Sequence, residues 1–224
     1  MENFDFNNEF NNVFPFWENL TEDEKDTLLK SSVSVEYKKG SSIHDGNECT
    51  GVIIVKKGCL RLYILSDEGK EITLYRLNEG DMCMLSASCV IKSITFDVNV
   101  DAEEDSQCII IRGSAFSKVS ESNKDVKIFA LSTAVSRFSD VMWVMQQILF
   151  MSMDRRLAIF LLDESSRTNS DIITLSHEQI AKYMGSAREV VSRMLKYFKD
   201  EGILEVSRKG VKIIDKNRLR ELSF

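Results

Sequence analysis

The sequence predicts an α+β chain in three parts: an antiparallel β sandwich or barrel, a long amphipathic helix, and a C-terminal helix-turn-helix closed by a β-hairpin. Three observations predict it. From Val33 to Ile111 short β-branched runs alternate with turn residues. Between Gly113 and Gly185 there is no glycine and no proline, and the apolar spacing becomes helical. Two helix-start signals then lie on either side of Gly185. The corresponding boundaries are residues 1–115, 116–151 and 152–224.

Thr21 stands three residues before Glu24, the spacing of a capping box, and predicts a short helix through Leu29. Strands are expected at Val52 to Lys57, Leu60 to Leu65 and Ile72 to Leu77, punctuated by Lys57-Gly58, Asp67-Glu68-Gly69 and Glu79-Gly80-Asp81. Runs of this length and spacing suit an antiparallel sandwich or barrel. Met82 to Ile91 is the one stretch of this zone with a helical texture. Farther on, Leu131, Val135, Phe138, Met142, Met145 and Leu149 form a heptad seam, widened by Ala134, Val141 and Ile148. Such a seam either packs inside its own domain or pairs with a second copy across a two-fold axis.

Ser176 with Gln179 forms one capping box and Ser186 with Glu189 another, so two helices are expected with Gly185 in the turn. Ile180, Met184, Val191 and Leu195 can pack between them, and Ala181 is small enough to let them approach. Gly202 ends the second helix. The opposite side of that helix carries Arg188, Glu189, Ser192, Arg193 and Lys196. Arginine forks match the guanine edge and a carboxylate accepts from cytosine N4, so this face has the chemistry to read base pairs. A solvated face with a Glu189–Arg193 pair would have the same composition. The hairpin that follows has a basic tip, Ser207-Arg208-Lys209-Gly210, suited to phosphate.

Charge supports a nucleic-acid module at one end. The net charge is −6, but residues 1–150 carry 15 basic against 24 acidic side chains, whereas Lys182 to Arg220 carries 11 against 5. The N-terminus lacks a basic region followed by an apolar one, so no secretory signal is expected, and no apolar run approaches a membrane span. Five cysteines, Cys49, Cys59, Cys83, Cys89 and Cys108, are an odd number without C-x-x-C, which predicts free thiols in the reducing cytoplasm rather than a disulfide framework. A metalloenzyme on a similar barrel would need clustered histidines, and the chain has only His44 and His177, in different parts. No catalytic residue, metal site or cofactor is expected.

Over nearly its whole length the sequence resembles the Crp/Fnr family of bacterial transcription regulators. The resemblance rests on Phe14 to Leu20, Lys38-Lys39-Gly40, Lys57-Gly58, Glu79-Gly80-Asp81, the central helix and Leu175 to Gly202, and above all on Gly185-Ser186-x-Arg188-Glu189-x-x-Ser192-Arg193. It implies a jelly-roll barrel that senses an effector, a dimerisation helix carrying the seam above, and a winged helix-turn-helix that binds double-stranded DNA as a homodimer, with RNA polymerase as a further partner and no membrane. The family's base-reading Arg, Glu and Arg fall on Arg188, Glu189 and Arg193. Ser192 matches the Fnr-like branch. Ser176, Ser186, Lys196, Arg208 and Lys209 complete the expected DNA contacts.

Family members that bind cyclic AMP carry Gly-Glu and Arg-Ser/Thr-Ala motifs; the matching positions here hold Met84-Leu85 and Phe96-Asp97-Val98. An aspartate would repel the phosphate that an arginine fork should hold, so a different effector is expected. The N-terminus has no thiolates for an iron–sulfur cluster. Cys83 and Cys89 bracket the expected pocket segment as a redox pair, soft metal ligands or simple packing. Met82, Met84, Leu85 and Phe96 around them suit an apolar effector, with Asp97 at the phosphate position. A barrel that serves only as a scaffold for a constitutive DNA binder is the remaining alternative.

Overall fold

The computed structural model describes residues 5–45, 49–84 and 98–224. The chain divides into two compact units, residues 1–64 with 74–141 and residues 65–73 with 142–224.

The first unit opens with α1 (Phe6–Val13), a 3-10 turn (Trp17–Asn19) and α2 (Glu22–Lys30). α1 was not evident in the sequence, because asparagines separate its phenylalanines. Asp5 caps it by accepting from the Asn8 N–H, and Phe10, Phe14, Phe16 and Trp17 all enter the core. The Thr21–Glu24 capping box forms with both of its hydrogen bonds. Among the described residues eight strands follow: β1 (Ser32–Tyr37), β2 (Ser42–His44), β3 (Val52–Lys57), β4 (Leu60–Leu65), β5 (Glu71–Leu77), β6 (Met82–Cys83), β7 (Asn99–Ala102) and β8 (Ser106–Ile111). They build two four-stranded sheets, ordered β1-β8-β3-β6 and β2-β7-β4-β5, with antiparallel pairing. Only Met82 to Met84 of the stretch with helical texture is described, and Met82–Cys83 is strand, paired with Ile53 and Ile54.

The alternation of side chains along a strand decides which core each residue joins. Val52 and Ile54 of β3, with Ile109 and Ile111 of β8, face a layer formed by the N-terminal helices, Phe116, Val126 and Ala130. Ile53, Val55 and Cys108 point the other way, between the sheets, against Leu60, Leu62, Leu77 and Val100. A strand buried on both faces reads as a continuous apolar run, as Val52-Ile53-Ile54-Val55 does. At the β3–β4 turn only glycine fits. Gly58 has φ +90°, and an added Cβ would lie 2.4 Å from Ser106 Oγ and 2.7 Å from the Asp105 carbonyl oxygen.

After β8 the chain is helical, in α3 (Gly113–Ser122) and α4 (Lys124–Phe150). Asn123 separates them: its backbone is extended and its side chain accepts from the N–H groups of Asp125 and Val126. α4 buries Val126 and Ala130, while Leu131, Val135, Phe138, Met142, Met145 and Leu149, the whole seam, are 41% to 66% exposed in the single chain. The sequence reading that no run approaches a membrane span needs correction, because α4 is long and apolar enough to cross one by length and composition. Its polar residues also contact the β-sheet unit. Arg137 forms ion pairs with Asp81 at 3.0 Å and Asp140 at 3.1 Å, and its guanidinium lies over the Tyr75 ring. These contacts fasten the helix to the β-sheet unit.

The C-terminal part of the second unit comprises α5 (Met153–Thr168), β9 (Ile172–Ile173), α6 (His177–Met184), α7 (Arg188–Asp200), β10 (Leu204–Ser207), β11 (Gly210–Ile213) and α8 (Lys216–Leu222). β10, β11 and β9 form one antiparallel sheet. Leu157, Leu161, Ile180, Val191, Leu195, Phe198 and Leu219 meet in its core.

Candidate nucleic-acid interface

α6 and α7 form the expected helix-turn-helix. Ser176 caps α6 in a complete box: the Gln179 N–H donates to its Oγ at 3.2 Å, and its own N–H donates to Gln179 Oε1 at 2.8 Å. Gly185, with φ +58° and ψ 41°, ends the helix in the left-handed region, and the Ser186 N–H closes the turn on the Ala181 carbonyl at 2.9 Å. The second predicted capping box is not formed. α7 begins one residue later than expected, with Ala187 at the N-cap and no side-chain cap. Ser186 belongs to the turn, and its Oγ lies 3.8 Å from Met153 Sδ.

α7 then presents two faces. Val191, Leu195 and Phe198 are buried, whereas Arg188, Glu189, Arg193 and Lys196 are exposed and Ser192 is half-buried between them. Gly202, at φ +73°, terminates the helix as predicted, and the Ile203 N–H donates back to the Phe198 carbonyl at 2.9 Å. β10 and β11 form the hairpin, with Ser207 opposite Gly210 and Arg208-Lys209 as its exposed two-residue tip. Gly210 is required where β11 turns under the sheet, since an added Cβ would lie 2.2 Å from the Ile173 carbonyl oxygen. Arg188, Glu189, Arg193, Lys196, Arg208 and Lys209 form no ion pair among the described residues, so the Glu189–Arg193 pair of a merely solvated face is absent. A groove of about 430 Å³ lies between the start of α6, the start of α7 and the hairpin, lined by Ser176, His177, Glu178, Arg188, Ser207 and Arg208 among others.

One member of this groove was missed from sequence. His177, the first residue of α6, has its Nδ1 2.8 Å from Ser192 Oγ and joins the two helices at the surface. A separation of 15 residues has no periodic signature, so only the helix-turn-helix geometry reveals it.

The arrangement of strands, helices and hairpin matches known proteins over most of the chain. A model of the Crp-like helix-turn-helix domain matches residues 155–222, and one of the cyclic nucleotide-binding domain matches residues 34–123. The crystal structure of a Crp/Fnr family protein from Eubacterium rectale, assigned as a transcriptional regulator, superposes with a TM-score of 0.91 at 44% identity, covering 95% of this chain and 99% of that one. The chain belongs to the Crp/Fnr family. It is a DNA-binding transcription regulator of the Crp/Fnr type.

Among curated relatives, the transcriptional regulatory protein btr of Bordetella pertussis is 26% identical over 88% of this chain and 83% of its own length. The cAMP-activated global regulator CRP of Salmonella typhimurium is 23% identical over 77% of this chain and 85% of its own. The c-di-GMP responsive regulator CLP of Xanthomonas campestris shares the fold, with a TM-score of 0.73 at 17% identity over 87% of this chain and all of that one. Members of this Crp/Fnr fold therefore respond to different nucleotides, and kinship alone does not name an effector.

Of the expected pocket residues, Met82, Cys83 and Met84 are described. Cys83 is buried between the sheets, while Met82 and Met84 join the core on the opposite face, beneath the helical layer. Leu85, Cys89, Phe96 and Asp97 lie outside the described residues. Cys59, Cys83 and Cys108 are buried thiols, but Cys49 is disulfide-bonded, which corrects the expectation of free thiols throughout. Burial pushes the Cys108 thiol up to about 11 and raises the Tyr75 phenol as well, and the Tyr75 hydroxyl has no hydrogen-bond partner among the described residues.

Proposed function

We propose that this Crp/Fnr regulator acts as a homodimer on a pseudo-palindromic operator, with one α7 helix entering the major groove of each half-site about 34 Å apart. The observation that carries the reading is the exposed row of α7, where Arg188, Glu189 and Arg193 stand without ion-pair partners beside the basic hairpin tip. Arg193 with Glu189 reads a G·C pair, and Arg188 takes a second guanine or a neighbouring phosphate. Lys196, Arg208 and Lys209 hold the backbone without choosing sequence, and Ser176, Ser186 and Ser192 supply shorter contacts.

Residues 1–115 form the sensing part, residues 116–151 the dimerisation segment and residues 152–224 the DNA-binding part. The effector differs from cyclic AMP, a reading supported by Phe96 and Asp97 in place of phosphate ligands. The protein works in the cytoplasm, alongside RNA polymerase, without catalytic function.

Selection of bound duplexes from a random library tests the reading. The wild-type protein is expected to enrich an inverted repeat. Arg193→Ala should lose about 1–3 kcal/mol per half-site and relax preference at one position, while Lys209→Ala should weaken all sequences alike and reduce the salt slope by about one unit. An unchanged base preference in Arg193→Ala, or no inverted repeat at all, defeats it.

A further inference from the structure

His177 is half-buried at the start of α6, and its Nδ1 lies 2.8 Å from Ser192 Oγ, on the α7 row that carries Arg188 and Lys196 one turn to either side. The ring also lines the groove between the helices and the hairpin. Imidazole is the side chain whose ordinary titration falls between about pH 5 and 8. We propose that His177 is a DNA-contacting residue that couples operator affinity to pH through its bond to Ser192. This rests on the reading of the groove as the DNA interface.

The chemistry follows from the donor count. In the neutral ring with its hydrogen on Nε2, Nδ1 can only accept, so the Ser192 hydroxyl spends its single proton on the imidazole. When a proton from solvent binds Nδ1, that nitrogen becomes a donor and Ser192 becomes the acceptor. The serine proton is then released for a phosphate or base acceptor, and the ring gains a positive charge beside the backbone. One protonation thus supplies both a cation and a donor.

The charged residues that line the groove with the ring are Glu178 on its own helix, Arg188 at the start of α7 and Arg208 on the hairpin tip. An incoming phosphate backbone attracts the charged imidazolium over the neutral ring. DNA binding therefore takes up a proton at each half-site, and affinity rises as pH falls. His44, the other histidine, belongs to the β-sheet unit, where its Nδ1 is 2.8 Å from Thr50 Oγ1, and it serves as a control.

The test is the affinity of the dimer for its selected duplex across this range at fixed salt, for wild type, His177→Gln, His177→Arg and His44→Gln. Wild type and His44→Gln should bind about tenfold or more tightly near pH 6 than near pH 8. His177→Gln, which keeps a hydrogen-bonding side chain but does not titrate, should fall to about a twofold difference or less. His177→Arg should bind tightly at both values, so loss of the response is separated from loss of fold. Equal wild-type affinity at both values, or a full response retained by His177→Gln, overturns the proposal while leaving the DNA interface intact. Absence of binding to any duplex by the wild type at either value overturns both.

Discussion

Replacing Phe138 by glutamate probes the proposed dimer directly. Phe138 sits at the centre of the α4 seam and is 62% exposed in the single chain. A fully buried aromatic side chain covers about 150–250 Å², so about 100–150 Å² of this one is left to be covered by a partner. At about 25 cal/mol per Å² that is about 3 kcal/mol. A two-fold axis counts it twice, giving about 6 kcal/mol per dimer, or about four orders of magnitude in dissociation constant. Two carboxylates brought into an apolar seam add desolvation in the same direction. Because the position is exposed within the protomer, the fold should survive, and circular dichroism should match the wild type. Light scattering at micromolar concentration should give a dimer for the wild type and a monomer for Phe138→Glu. An unchanged dimer would refute the assignment of α4 as the interface.

Two further outcomes follow from the β-sheet unit. Arg137→Met should lower stability by about 1–2 kcal/mol in thermal or denaturant unfolding, because it removes the ion-pair partner of the partly exposed Asp81 and Asp140 and the guanidinium from the Tyr75 ring; a loss below about 0.5 kcal/mol would show the pairs to be mere surface contacts. Burial pushes the Cys108 thiol up to about 11 from an ordinary value near 9, so its folded form holds the proton more tightly. The associated stability is complete below about pH 9 and is lost as pH rises towards about 11. Alkylation near neutral pH should spare Cys108 until the protein is unfolded, and rapid native labelling would contradict its burial.

What was legible in the sequence was what is local. The capping boxes at Thr21 and Ser176 and the glycines at 58, 185 and 202 each fix a turn within a few residues, and each stands where expected. The Ser186 box failed for an equally local reason. Once Gly185 turns left-handed, the Ser186 N–H is drawn back to Ala181, and the cap passes to Ala187. α1 went unseen because Phe6, Phe10 and Phe14 are set among asparagines, which mask a four-residue apolar repeat. Alternation separates Cys83 from its strand neighbour Met82, so that the two face opposite cores, a distinction composition alone does not make.

The proposed DNA face shows why fold outruns chemistry when only residues are read. Val191, Leu195 and Phe198 share one buried stripe, so each confirms the others and the outward row of Arg188, Glu189 and Arg193 follows by elimination. His177 has no such support. It belongs to another helix, 15 positions from Ser192, and becomes part of the surface only because a left-handed glycine brings the two helix starts together. The same turn that makes this fold recognisable therefore also creates the contact that periodicity cannot report. Gly185 links the two: its φ of +58° sets the helix approach on which the His177–Ser192 bond depends. A substitution that strains this turn would disturb α7 and the imidazole together, whereas His177→Gln isolates the second effect.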